Sequence, residues 1–209
     1  MRVAILGGTG SFGRALAKRL VEAGRDDVVI GSRDAARARE TAAELAAVGG
    51  ETNADAVRGA DLAVLAVKAE AALDTAREVA GALGSTPLLS VASALAFAKD
   101  GVRPDADARS LAERIQDVVS GPVVAGLHSI AAANLDEEPP GEDALVCGDD
   151  RDAKELVLEL VDRLVAGRAI DAGPLAGART LEGLTAVIVN VNRRYRVHAG
   201  VRLSGFASS

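Results

Sequence analysis

The residues best suited to chemistry lie near the start of the chain, where Gly8-Thr9-Gly10-Ser11-Phe12-Gly13 follows the apolar run of residues 3–6. A Gly-x-Gly-x-x-Gly turn between a strand and a helix is a dinucleotide site. Gly8 allows the tight turn, Gly10 lets backbone amides approach the pyrophosphate, and Gly13 lets the helix pack on the strand. The pyrophosphate then rests on the N-terminus of a helix beginning near Ser11. The next apolar strand, Val28–Ile30, delivers Gly31-Ser32-Arg33. NAD sites usually present Asp or Glu here for the ribose 2′-hydroxyl. A hydroxyl beside a guanidinium suits a 2′-phosphate instead, and Arg37, one helical turn on, adds a second positive charge. The expected ligand is NADP. Ser32 is equally suited to cap the helix predicted over Asp34–Ala47.

Ligands of such folds lie across the carboxyl ends of the strands, which draws attention to residues 67–69, 90–93 and 127–132. These are mostly small, and Lys68 and His128 are their ionisable members. His128 is the candidate acid for a carbonyl acceptor, or a strand-end histidine bonded to the backbone. Cys147 is the sole cysteine, which rules out an intrachain disulfide and a cysteine metal cluster and reads as a small buried hydrophobe. No metal site and no catalytic side chain is assigned.

Strand and helix signals alternate around these residues. Helices are expected at Gly10–Ala23, Asp34–Ala47, Asn53–Gly59, Ala69–Leu83 and Asp107–Val119, with strands at Val28–Gly31, Leu62–Val67, Leu88–Val91 and Val123–Leu127. Apolar runs separated by amphipathic segments predict an α/β fold, a Rossmann-type doubly wound parallel sheet. After His128 the rhythm loosens into a small C-terminal α+β part. It comprises an acid- and proline-rich stretch at Leu135–Asp143, a strand at Ala144–Cys147, a helix at Asp152–Val165, a strand at Arg168–Asp171 and an apolar helix at Thr180–Asn192. The division expected is a nucleotide-binding domain over 1–142 and a small domain over 143–209 closing the substrate cleft. The tail Ser204–Ser209 reads as loose.

The chain has 209 residues, 49% apolar but only 2% aromatic, with a net charge of −6. Few aromatics and a negative charge argue against nucleic acid and anionic membranes as partners. No apolar run approaches the roughly 18 residues of a membrane span. Nothing at the start resembles a signal peptide, so a cytoplasmic location is expected. The final apolar helix, with Leu181, Leu184, Val187, Ile188 and Val191 at helical spacing, points to packing and to a homodimer.

Residues 1–13, Gly31-Ser32-Arg33, Gly126-Leu127-His128-Ser129-Ile130, Cys147-Gly148-Asp149-Asp150 and Asp171-Ala172-Gly173-Pro174-Leu175 together resemble the NADPH-dependent reductases of coenzyme F420, also called F420-dependent NADP oxidoreductases. The likeness runs in order over nearly the whole chain. It implies reversible hydride transfer between NADP(H) and C5 of a deazaflavin co-substrate, two flat rings held face to face at roughly 3–3.5 Å, which requires placement more than a catalytic acid. Carried across position by position, Thr9, Gly10, Ser11 and Phe12 would face the pyrophosphate, and Ser32, Arg33 and Arg37 the 2′-phosphate. Ala69, Leu73 and Ala132 would lie near the nucleotide and nicotinamide, and Ser90, His128 and Ser129 on the deazaflavin side.

The chain departs from the family pattern in two walls, where Ser90-Val91-Ala92-Ser93-Ala94 and Ser129-Ile130-Ala131-Ala132 lack the family's prolines. It also carries Arg193, Arg194, Arg196 and Arg202 near its end, suited either to a solvated helix terminus or to the phosphate and glutamate tail of coenzyme F420. Two other readings remain open. One is an NADPH-dependent reductase of another flavin-like or carbonyl acceptor, with His128 as proton donor. The other is a non-catalytic NADP-binding sensor.

Overall fold

In a computed structural model, described over residues 1–206, the chain alternates strand and helix from its first residues. It opens with β1 (Arg2–Leu6), α1 (Ser11–Ala23), β2 (Asp27–Ser32), α2 (Ala35–Leu45), β3 (Gly49–Thr52), α3 (Asn53–Ala56), β4 (Leu62–Leu65), α4 (Ala69–Leu83) and β5 (Leu88–Ser90). A hairpin, β6 (Leu95–Ala98) and β7 (Gly101–Pro104), precedes α5 (Leu111–Gln116), β8 (Val123–Gly126), α6 (Ala132–Glu137) and β9 (Ala144–Gly148). Then come α7 (Arg151–Asp162), β10 (Ala169–Asp171), a single 3₁₀ turn at Leu175–Gly177 and α8 (Ala178–Tyr195). The expected loose tail lies partly outside the described residues, at 207–209.

Eight strands form one sheet in the order β10-β9-β8-β5-β4-β1-β2-β3. All neighbours are parallel except β8 and β9, which run antiparallel. The order reverses direction between β1 and β4, the crevice where ligands of open α/β sheets bind. Along β1, Val3 and Ile5 enter one core and Ala4 and Leu6 the other, as a period of two requires. The first core takes Leu16 and Leu20 of α1 and Val157 and Leu160 of α7; the second takes Val79 of α4, Ile115 of α5 and Leu181 of α8. Both faces are covered, so the strands read as unbroken apolar runs. Main-chain pairing joins β9 and β10 to the same sheet as the strands of residues 1–142.

Several elements differ from their predicted form for identifiable reasons. Helix α5 begins at Leu111, not Asp107, because Ser110 and Glu113 form a reciprocal capping box that fixes the entry. The short strand β3 has a glycine-rich sequence that gives no apolar signal. Its Gly50 is needed because a Cβ there would stand 2.3 Å from the Ala38 backbone of α2. The hairpin and α6 were hidden among short alanine-rich and acidic stretches. Cys147 is buried among apolar neighbours, and that burial pushes its thiol up to about 11.

Candidate functional site

The glycine turn leaves β1 through Gly7, whose φ of 77° is the left-handed conformation. The conformational demand assigned to Gly8 therefore falls on its neighbour. Gly8 matters by proximity: a Cβ there would meet the Ile5 carbonyl and the Ile30 side chain at 3.0 Å. Both Gly7 and Gly8 donate their amides to the Gly31 carbonyl at 3.0 Å, tying the turn to the end of β2. Gly13 performs the predicted packing role, since its Cβ would come within 2.5 Å of the Gly7 carbonyl. Helix α1 then starts with no side-chain cap and no acidic residue in its first turn, which leaves its positive end available to an anion.

A cleft of about 820 Å³ opens above this turn, at the strand-order reversal. Of the predicted residues, Thr9, Gly10, Ser11, Phe12, Ser32, Arg33, Arg37 and Ala69 line it. Gly8 and Gly13 sit behind the turn. Ser32 is buried, with its Oγ 3.5 Å from the Thr9 hydroxyl. It is not the cap of α2; Asp34 is, accepting from the amides of Ala36 and Arg37 at 2.9 and 3.2 Å. That capping role engages an acidic side chain which lines the same cleft beside Arg33. Arg33 and Arg37 are exposed, and neither has a carboxylate partner among the described residues. Together with the uncapped α1 terminus, they fit a phosphorylated dinucleotide.

The opposite wall is made by Val67 and Lys68 after β4, by Thr75 of α4, and by Val91, Ala92 and Ser93 after β5. Asn53 was not anticipated from sequence. It is buried, lines the cleft, and its Oδ1 accepts the Gly7 amide at 3.3 Å. Its only signal was its place after a strand that went unrecognised. Leu73 is half-buried one turn into α4 and packs on the second core, while Ala132 is half-buried at the start of α6; neither lines the cleft.

Ser90, His128 and Ser129 are all buried and lie outside the lining. Ser129 spends its hydroxyl on the Asp143 carbonyl at 3.1 Å. The Ser90 Oγ and the His128 Nδ1 have no partner among the described residues. His128 follows Leu127, which is held at φ 63°, a costly conformation for a branched side chain. Burial pushes the imidazole down to about 4, with backbone hydrogen bonding to Ala92 and Gly126 acting the other way. It is thus neutral at ordinary pH. Helix α8 braces this wall: Thr185 donates to the His128 carbonyl at 2.9 Å and bonds the Ser93 hydroxyl at 3.1 Å. Glu182, fully buried, accepts the Leu111 amide at 2.8 Å and Arg179 at 2.8 Å.

Comparison with known proteins shows the family to which the chain is similar. Residues 2–94 match the family described as NADP oxidoreductase, coenzyme F420-dependent. The chain is 35% identical over 221 residues to an F420-dependent NADP reductase of Methanothermobacter marburgensis, covering 98% of both chains. It is 34% identical over 226 residues to the one from Methanothermobacter thermautotrophicus, covering 98% of this chain and 95% of the relative. A solved structure from Arthrobacter sp. FB24, described there as a candidate F420-dependent NADP-reductase, superposes with a TM-score of 0.86 at 25% identity, covering 98% and 100% of the two chains.

Proposed function

The chain belongs to the F420-dependent NADP reductase family, and from that premise we propose that it catalyses reversible hydride transfer between NADP(H) and the deazaflavin coenzyme F420. The observation that carries this reading is the full-length likeness, 98% of each chain, joined to a cleft whose nucleotide end offers Ser32, Arg33 and Arg37 where an NAD site would place an acid. NADP(H) supplies or accepts the hydride. The chain's own residues bind and orient. The α1 terminus and the Gly10 backbone hold the pyrophosphate, with Thr9, Ser11 and Phe12 around it, and Ser32 and the two arginines hold the 2′-phosphate. Ala69, Leu73 and Ala132 flank the nucleotide, and Ser90, His128 and Ser129 back the acceptor side. The small side chains of Ala92 and Ser93 leave room for a flat ring.

The neutral, buried His128 favours this reading over a carbonyl reductase, because a group pushed down to about 4 is a poor proton donor at neutral pH. A sensor without turnover has no observation in its favour. We further read residues 1–142 as the nucleotide-binding unit and residues 143–209 as the part that closes the acceptor side. The enzyme is read as a cytoplasmic homodimer, supported by Phe97 of the hairpin and Val187 of α8, which are 67% and 58% exposed on elements packed against each other. The test is an absorbance assay. NADPH should bleach oxidised coenzyme F420 rapidly, with NADH and FMN as poor substitutes; binding of NADPH without bleaching would overturn the reading.

A further inference from the structure

The arginines of this protein fall into two populations. Most have a carboxylate partner: Arg14 has Glu44, Arg77 has Asp74, Arg109 has Asp117, Arg151 has Glu155 and Arg163 has Asp26. Arg2 and Arg25, at the N-terminal ends of β1 and β2 and so at the other end of the strands from the cleft, have no salt bridge among the described residues. The other arginines without one among the described residues gather in two places. Arg33, Arg37 and Arg39 lie at the start of α2, beside the nucleotide end of the cleft. Arg193, Arg194, Arg196 and Arg202 lie around the end of α8, and all are exposed. The helix dipole accounts for cations in the last turn, such as Arg193 and Arg194, but not for Arg196 and Arg202 beyond it. In a chain of net charge −6, four unneutralised guanidinium groups within ten residues are a local reversal of sign.

The fold brings this second cluster to the acceptor half. Arg196, at φ 56°, ends α8 and turns the chain back, so that Ala199 donates its amide to Asn192 Oδ1 at 2.8 Å. The next contact is with α6: Asn134 Nδ2 donates to the His198 carbonyl at 3.1 Å. Asn134 is two residues past Ala132, and α6 continues directly from the segment that carries His128 and Ser129. Cations without a carboxylate partner among the described residues thus lie at the nucleotide end of the cleft and at the end of α8, next to α6.

We propose that the arginines at the end of α8 form an anion subsite for the negatively charged tail of the hydride acceptor. This rests on the acceptor being coenzyme F420, whose ring carries a phosphodiester and glutamate tail. The subsite raises affinity and capture without touching the hydride step, and because its groups are exposed its effect is screened by salt.

The test compares two acceptors, coenzyme F420 and the same deazaflavin truncated at its ribityl chain, each reduced by NADPH. The double variant Arg193→Gln/Arg194→Gln should raise KM for coenzyme F420 on the order of five- to tenfold at low ionic strength, with the difference shrinking in about 0.5 M salt. KM for NADPH and for the truncated acceptor should stay within about twofold. Arg202→Gln, outside the helix, should give a smaller rise of the same selectivity and guards against an effect on α8 itself. An unchanged KM for coenzyme F420, or an equal rise for both acceptors, would overturn the subsite. Failure of the unsubstituted enzyme with both acceptors would overturn the parent reading and the subsite with it.

Discussion

Arg33 stands exposed at the mouth of the cleft with no carboxylate partner among the described residues, and in the proposed function it and the buried Ser32 beside it discriminate between the two nicotinamide coenzymes. Hydrogen bonds to a charged group are worth about 1.5–3 kcal/mol, so Arg33→Gln should raise KM for NADPH roughly 10- to 150-fold. KM for NADH should change little, because NADH has no 2′-phosphate for the guanidinium to lose. Steady-state kinetics with both coenzymes decides it; a parallel rise for NADH would mean that Arg33 holds the fold and not the phosphate. The types Ser32 and Arg33 were legible in sequence because a missing acid is a local signal. The distribution of labour in the glycine turn was not. It depends on Gly7 meeting Ala66 and Val67 from a strand some sixty residues away, a contact no local pattern encodes. Asp34 likewise looked like a helix residue and proved to be the cap, which explains how a carboxylate can sit beside a phosphate site.

Elements with strong apolar periodicity were read closely, α4 being predicted and found at Ala69–Leu83 and the far ends of α7 and α8 lying three residues from their predicted positions. Those defined by distant partners were not. Strand β3 exists because Gly50 permits the approach of α2, and the hairpin β6–β7 exists because Asn190 of α8 bonds both the amide and the carbonyl of Val102, at 2.8 and 2.7 Å. One inter-element tie makes a pH prediction. Asp143, fully buried before β9, is held down to about 2, first by its hydrogen bond from Arg168 before β10 and also by the Leu203 amide. A carboxyl depressed in the folded state stabilises the protein above its ordinary value near 4, and that stability drains away as the pH falls from there towards 2. Asp143→Asn should therefore lower Tm at pH 7 by about 3–10 °C and flatten the acid limb. Thermal scans from pH 7 to pH 3 would show it. An unchanged Tm would mean that the pair contributes nothing.

At the scale of the molecule, the alternation of strand and helix, the parallel sheet and a ligand site at the carboxyl ends of its strands were legible in the sequence, while the strand order and the antiparallel β8–β9 pair were not. The acceptor half was legible mainly by resemblance, because residues such as Ala92, Ser93, Ala131 and Ala132 are small and carry no ionisable group to signal a role. Ser90, His128 and Ser129 prove buried outside the cleft lining, where Leu127 strain and α8 bracing hold them. The exposed apolar groups on the hairpin and α8 belong to this scale too. Phe97→Asp with Val187→Asp should convert a dimer in sedimentation velocity to a monomer at micromolar concentration. A monomeric unsubstituted protein would remove the homodimer from the account.

Direct ring-to-ring hydride transfer to C5, with the proton that completes N1 of the reduced deazaflavin taken from solvent, needs no proton-donating side chain. It is tested by mixing the enzyme in ordinary water with oxidised coenzyme F420 and NADPH deuterated at both C4 positions, then reading the reduced deazaflavin by mass spectrometry. The account predicts one deuterium at C5, both with the unsubstituted enzyme and with His128→Ala at a modestly lower rate. Label lost to solvent, or transfer abolished in His128→Ala, would contradict it.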